Sequence, residues 1–467
     1  MGFVFYDTET TGIDTSFDQI LQFAAIHTDA DLNELDRLDI RSRLLPGVVP
    51  SPVAMGITRI TAAQLVDLAI PSHYEMIRLL QEQLQQWSPA VFLGYNSIVF
   101  DEHLLRHSLY KTLHRPYLTN TNGNARSDVM RMTQAVHLFC PEALNIPVGA
   151  NGKLSFKLDL VAPANGFNHE NAHDALADVE ATLFICRLIC ERAPEVWSSF
   201  MRFSQKAAVV DYVTSEPIFC FSDFYYGTPF SCLVTYLGQN PNMPSEVYLY
   251  DLAVDPERLM GLSEHQLTRR LNGSPKPLRR LRCNASPMLM AAESAPAICR
   301  ANTLGTKELG RRVRLLEDNQ ELRDRLIGTL VSEKKDTKAT PHVEQQLYDR
   351  FFTEDDQRLL MEFHSVDWVK RISVLNRLED TRLKQLGFQL IYAECPEALS
   401  KDRRRDLDTL HAQRLMSEQE DVPWLTLPKA RQELVHLMGG SRIGESEFYE
   451  EHLALVDEWI QRVKAIG

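Results

Sequence analysis

Residues 3–9 read Phe-Val-Phe-Tyr-Asp-Thr-Glu, an apolar run that predicts a strand over Phe3–Tyr6 ending in two carboxylates. In an extended chain, residues i and i+2 point to the same side, so Asp7 and Glu9 face one place. Two such groups resist ionising together unless a cation shares the site, and an all-oxygen site suits a hard ion such as Mg²⁺. A second acid, Asp101, follows the buried-strand pattern Ala90–Tyr95 and the polar Asn96, and opens a helical stretch with Phe100. A third element, Asn171-Ala-His173-Asp-Ala-Leu-Ala-Asp178, starts a further helix. Five helical residues advance about 7.5 Å and turn roughly 140° about the axis, so His173 and Asp178 flank one site without touching. Asp178 can then hold a metal while His173 reaches a water beside it. Small Ala172, Ala175 and Ala177 let a substrate approach the helix. Taken singly, each element has a plain structural explanation: a solvated turn, a helix-start charge favoured by the dipole, a satisfied histidine. Four carboxylates and a histidine in this order point to one site that holds a hard metal ion and a water beside it.

The elements that must position them follow from hydrophobic periodicity. Phe3–Tyr6, Leu21–His27 and Leu38–Leu45 predict three successive antiparallel strands. Thr61–Leu68, Pro71–Trp87, Phe100–Leu113 and His173–Ala193 predict helices. Strands followed by alternating helices and a strand give an α/β domain with a mixed sheet over 1–195. Residues 196–335, rich in Phe, Tyr, Val and turn signals, predict a second, β-rich domain with helical insertions. Ser332–His342 is polar and reads as a linker, and 343–467 is helical throughout. The 467 residues suffice to bury a core without disulfides, and the eight cysteines form no Cys-x-x-Cys pair, which fits a reducing, cytoplasmic setting. No apolar run is long enough to span a membrane, and the N-terminus lacks the pattern of a signal peptide. The formal net charge of −13 speaks mildly against nucleic acid as a partner, yet average charge says little about one groove.

The ordered set Asp7, Glu9, Asp101, His173 and Asp178 resembles the Asp-Glu-Asp-Asp exonuclease superfamily, in the branch with histidine in the third motif. Further stretches resemble the bacterial exodeoxyribonuclease I family: Gln22–Ile26, Gly94–Asn96, Ser155–Leu158, Ala164–Gly166, Ala301–Leu304 and Gln346–Phe352. The similarity spans nearly the whole chain. It implies a ribonuclease H-like exonuclease domain, an SH3-like β domain and a helical domain closing a groove around a DNA strand. It implies processive 3′→5′ hydrolysis of single-stranded DNA to 5′-mononucleotides, in DNA repair and recombination, by a monomer. On this reading Asp7, Glu9, Asp101 and Asp178 hold two Mg²⁺ ions, with Mn²⁺ as a substitute, and His173 is the general base. Thr8, Glu9, Tyr95, Asn96, Phe156 and Lys157 are the expected substrate contacts.

The family also binds the acidic C-terminal tail of single-stranded DNA-binding protein. Arg311, Arg312 and Arg314 are the candidate docking residues, although this segment departs from the family pattern. The segment 120–128 looks shortened. Two rivals remain at the level of sequence: the same chemistry on RNA or in proofreading, and a non-catalytic single-strand-binding protein on a nuclease fold.

Overall fold

The computed structural model describes residues 1–150, 152–168, 173–225, 227–332, 340–440 and 443–466. Strands β1 (Gly2–Thr10), β2 (Ile20–Thr28) and β3 (Glu34–Arg41) form the expected antiparallel meander. Strands β4 (Ala90–Gly94) and β5 (Ala125–Asp128) continue the sheet in parallel on the other side of β1, giving the order β3-β2-β1-β4-β5. β1 outruns its apolar stretch. Asp7 pairs with Ala24 and Glu9 with Gln22, so both carboxylates lie within the strand and not at its end, because β2 supplies partners along that length. β5, with the sequence Ala-Arg-Ser-Asp, carries no apolar pattern and lies in the segment that looked shortened; it forms by completing the open edge of β4.

Strand alternation sorts the chemistry. Phe3 and Phe5 point into a core with Val129, Val136, Val179 and Ile185. Val4 and Tyr6 point to the opposite face, against Ile77, Leu80, Leu104 and Leu105. Two-residue periodicity therefore sends Asp7 and Glu9 toward the helix Ala175–Arg192 and Thr8 toward the helix Asp101–Lys111. Ala24, Ala175 and Ala181 are fully buried, and their small side chains bring that first helix close to the sheet.

A second, wholly antiparallel sheet follows: β6 (Phe219–Tyr225), β7 (Thr228–Gln239), β8 (Glu246–Asp251), β9 (Leu278–Arg282) and β10 (Met288–Ala291), in the order β10-β6-β7-β8-β9. Val196 and Phe200 of the helix Pro194–Arg202 pack in the first core, whereas Val209, Tyr212 and Val213 of the next helix pack on the second sheet. From Val343 onward the described residues are helical or loop. Residues 333–339, most of the expected linker, lie outside the described residues. Among the described residues no helix is long and apolar enough to cross a membrane.

The C-terminal helices pack back on the first domain through buried imidazoles. His107 Nδ1 lies 2.9 Å from the Glu344 carbonyl, and the His114 and His364 rings stack at 4.0 Å. His364 Nε2 lies 3.1 Å from the Leu113 carbonyl, and the Tyr74 hydroxyl lies 3.0 Å from its Nδ1. Burial, reinforced by Lys111, pushes His73 and His107 down to about 3; burial pushes His364 and His411 down to about 4 and His114 well below its usual value. A neutral folded imidazole stabilises the fold fully above the unfolded value of about 6.5, and that contribution falls as pH drops toward the folded value. Buried carboxylates with raised values act in the opposite direction, so one imidazole is isolated only by difference. His107→Gln removes one of these groups. The stability advantage of wild type over His107→Gln is expected to be constant above pH 7 and to shrink by about 1.4 kcal/mol per pH unit between pH 6 and 4. Urea midpoints of both proteins across that range check this, and a pH-independent difference refutes it.

Candidate active site

Asp7 and Glu9 on β1 meet Asp178, in the first turn of the helix Ala175–Arg192; one carboxylate oxygen from each lies within 4.8 Å of the others. Asp101 opens the helix Asp101–Lys111 and is 5% exposed. Thr8 reaches over from β1, its Oγ1 donating to Asp101 Oδ1 at 2.5 Å. The acids act on one another. Burial, and then the charges of Asp101, Asp178 and Glu9, hold the Asp7 carboxyl well above the usual carboxylate range. Burial, Asp178, Asp101 and Asp174 push Glu9 up to about 9, opposed by Arg41. Burial raises Asp101 to about 7 against the pull of the Thr8 hydrogen bond. Carboxylates this close lack the positive charge that would let them all ionise. Their oxygens are hard donors, so the set fits a divalent cation bound through oxygen.

Each acid is held by specific local structure. The helix carrying Asp178 is capped by Asp174, whose side chain accepts from the backbone N–H groups of Leu176 and Ala177. Asp174 is in turn tied to the first sheet: Arg41 Nη2 pairs with it at 2.8 Å and Gln22 Nε2 donates to it at 3.2 Å. The first turn of that helix is thereby fastened to β2 and β3. His173 precedes the cap in a left-handed backbone conformation, φ 70°, sparsely populated by residues other than glycine. Its backbone N–H donates to Asp178 Oδ1 at 3.4 Å, and the residue is exposed. Asn171 and Ala172, the start of this motif, lie outside the described residues.

The turn before Asp101 is fixed by Asp128. Its buried carboxylate accepts from the backbone N–H groups of Asn96 and Ile98, both at 3.2 Å. A Cβ on Gly94 would lie 2.5 Å from Ser97 Cβ and 2.8 Å from the Tyr6 carbonyl oxygen, so glycine is required where β4 turns away. Glu102, next to Asp101, has a different fate. It pairs with Arg106 at 2.8 Å and Arg126 at 2.9 Å, and accepts from Thr119 at 2.6 Å. These partners outweigh burial and lower its pKa, leaving it a structural anion.

The other expected contact residues have the following surroundings. The Thr8 hydroxyl donates to Asp101, and the residue also lines the cavity beside the acids. The Tyr95 hydroxyl donates to the Phe156 carbonyl at 2.7 Å, and Phe156 is buried with its ring against His137 and Phe224, so these two residues form an internal clasp. Asn96 has a left-handed φ of 62°, and Lys157 is exposed at the start of the helix Leu158–Ala164. Arg311 is taken up by Glu308, Asp255 and Glu257, and Arg312 by Glu308 and the Leu252 carbonyl. The spacing to Glu308 and the approach of residues 255–257 neutralise both. Arg314 is exposed.

Sequence reasoning missed Gln22, Arg41, Asp128 and the capping role of Asp174. The last had a signal, an Asp immediately before an Ala-Leu-Ala run. It also missed the cavity beside the acids. This space of about 470 Å³ is lined by Thr8 and Glu9, by Ile13, Val53, Ile57 and Phe100, and by Trp424 and Leu425 from the C-terminal region.

The chain matches the family described as exonuclease over residues 4–186 and the exonuclease I C-terminal domain over residues 341–463. It is 27% identical over 403 residues to exodeoxyribonuclease I of Haemophilus influenzae, covering 83% of this chain and 85% of that protein. It superposes on a moderately thermophilic exonuclease I from Methylocaldum szegediense with a TM-score of 0.84 at 25% identity, covering 98% of this chain and 99% of that one. It shares its fold with Escherichia coli exonuclease I in complex with a dA16 oligonucleotide, with a TM-score of 0.83 at 23% identity and full coverage of both chains.

Raised carboxyl values mean that the cation-free site carries protons at neutral pH, which a bound cation must displace. Divalent-cation affinity is therefore expected to rise between pH 6 and 8, with at least about one proton released per site at pH 7. Calorimetric titration in buffers of different ionisation heat measures this. Affinity independent of pH, with no proton release, refutes the electrostatic account.

Proposed function

The chain belongs to the bacterial exonuclease I family, and on that premise we propose that it is a processive 3′→5′ exonuclease that hydrolyses single-stranded DNA to 5′-mononucleotides. The observation that carries the reading is the convergence of Asp7, Glu9 and Asp178 within 4.8 Å, at the edge of a cavity that extends to the C-terminal helices. Such a site offers anionic oxygens and raised pKa values, and little else that could act on a phosphodiester without a cation. Asp7, Glu9, Asp101 and Asp178 are the residues that would hold Mg²⁺. Two such ions would supply Lewis-acid polarisation of the scissile phosphate and lower the pKa of the attacking water. E. coli exonuclease I has been solved in a zinc-bound complex with single-stranded DNA, which is in keeping with a divalent-ion requirement.

The chain's own residues supply the rest. His173 stands exposed beside Asp178, where a general base takes a proton from the attacking water. Thr8 holds Asp101 in one orientation through its hydroxyl. The apolar side chains of Ile13 and Ile57 and the Phe100 ring offer a sequence-tolerant surface for a terminal nucleotide, as a general degradative enzyme requires. Lys157 and Asn96 remain candidates for backbone and sugar contact.

For partners, a similar solved structure holds SSB together with exonuclease I, and we extend that partnership to this chain. With Arg311 and Arg312 neutralised internally, Arg314 is the candidate that remains from the expected set. An SH3-like assignment of the second sheet, a monomeric state, a cytoplasmic location and a role in DNA repair belong to the same proposal.

Incubated with a 3′-labelled single-stranded oligonucleotide, the wild-type chain is expected to release mononucleotides with Mg²⁺ and none with EDTA. Asp178→Ala is expected to lower the rate on the order of a thousandfold, and His173→Gln about a hundredfold. Matched RNA and duplex DNA run alongside set the substrate range. Binding of DNA without hydrolysis by the wild type would overturn the proposal.

A further inference from the structure

The loop 11–19, which joins β1 to β2, is a closed knot. The Thr11 N–H donates to the Gln19 carbonyl at 2.9 Å, and the Thr11 hydroxyl donates to Asp18 Oδ1 at 2.7 Å. The Asp14 N–H donates to Asp18 Oδ2 at 2.8 Å, and a Cβ on Gly12 would lie 2.6 Å from the same oxygen. The knot begins two residues beyond Glu9 and forms part of the wall of the cavity beside the acids. A unit this tight moves as one body, so whatever anchors it also anchors that end of β1.

The ends of the loop are tied locally, by the Ser51 N–H to the Thr11 carbonyl at 2.7 Å and by the Gln19 side chain to Ser42, the Arg43 carbonyl and the Leu45 N–H. Two further anchors hold its middle. Lys111, at the end of the Asp101 helix, donates from Nζ to the carbonyls of Ser16 at 3.1 Å and Asp18 at 2.9 Å. Phe17 is the second. It is 5% exposed, yet it belongs to neither core of the first sheet. Its burial comes from the C-terminal region: its ring centroid lies 5.5 Å from that of Trp424, and the Arg414 guanidinium sits over both rings, 5.1 Å from Phe17 and 4.6 Å from Trp424. Arg414 is itself held, by Glu344 at 2.6 Å and through its carbonyl, which accepts from Trp424 Nε1 at 3.0 Å. A large aromatic ring has been sent out of its own domain into a cation–aromatic socket of another.

We propose that Phe17 is a positioning residue, through which the C-terminal helical region sets the placement of the Glu9 end of β1 and so the geometry of the carboxylate site. The inference rests on the function proposed above. It assigns the helical region a role in the chemical step, separate from any hold on the DNA strand. Displacement of a catalytic group by about 1 Å can cost as much as a hundredfold in rate, so loosening the anchor at the loop's middle should be felt in kcat.

The test uses the full chain and four proteins: wild type, Phe17→Ala, Trp424→Ala and the double variant. Each is assayed on a trinucleotide, too short to follow a long groove, and on a 30-mer. Cation affinity is measured by calorimetry without DNA. Phe17→Ala is expected to lower kcat about tenfold on both substrates, to leave KM for the trinucleotide within about twofold, and to weaken cation binding about fivefold. The double variant should be no slower than the slower single variant, because both remove one contact. Phe17→Leu, which keeps bulk in the socket, should recover much of the loss; if Phe17→Ala fails to fold, Trp424→Ala, which opens the socket from the other side and is expected to show the same losses, carries the test. Unchanged kcat and cation affinity would overturn the inference. So would a loss confined to the 30-mer or to KM, or additive effects of the two substitutions. Should the wild type hydrolyse neither substrate, the proposed function fails, and the cation measurement still decides whether Phe17 positions the acids.

Discussion

Mutual repulsion among buried carboxylates is the constraint around which this molecule is organised. Asp7, Glu9 and Asp101 are all raised by burial and by the neighbouring acids, and Asp178 adds to the field on Asp7 and Glu9. Left to themselves, such groups would spread apart or pull toward solvent, since each gains by separation. Keeping them together requires rigidity from outside the cluster. That rigidity comes from three places: a strand paired with β2 along the acids and with β4 over Gly2–Phe5, two helices fixed at their first turns, and a loop closed by its own hydrogen bonds.

The helix starts show how it is achieved. Asp174 and Asp128 are also carboxylates, but neither points into the cluster with a free charge. Asp174 is consumed by two N–H groups of its helix, by Arg41 and by Gln22. Asp128 is consumed by the N–H groups of the turn that delivers Asp101. Capping by a charged side chain contributes about 1 kcal/mol of helix stability in ordinary settings. Here its larger effect is to fix the first turn of each helix in register with the sheet, and an acid placed in the first turn inherits that precision. Acidic residues thus serve two purposes within one site. Asp174 and Asp128 build it, and Asp7, Glu9 and Asp178 converge within reach of one cation.

How much of this the sequence discloses depends on range. The meander, the Asp101 and Asp178 helices and the shared side of Asp7 and Glu9 follow from periodicities of two and 3.6, which are local. The full extent of β1 does not, because pairing beyond its apolar run depends on β2. β5 was invisible because its four residues have no apolar alternation and are held by the edge they complete. Arg311 and Arg312 read as a basic patch because charge counting along the chain cannot see Asp255 and Glu257 approaching from another segment. The bond between Tyr95 and Phe156, two of the expected substrate contacts, is hidden for the same reason: sixty-one positions apart, they meet through a hydroxyl and a carbonyl.

Asp101 and Glu102 make the physical point most plainly. They are adjacent, both acidic and both nearly inaccessible to solvent. Helical geometry turns them roughly 100° apart, toward different neighbours. Glu102 meets two guanidinium groups, which lower its pKa; Asp101, raised first by burial and further by Asp128, holds its proton more strongly. Composition and spacing cannot separate them, since each satisfies the rule that an acid is favoured in a helix's first turn. What separates them is the partner that the fold brings. Glu102 is already neutralised from within the chain, so a cation entering the site gains nothing from it. Asp101 sits beside a threonine hydroxyl and in the field of the neighbouring acids, a setting that a bound cation would relieve.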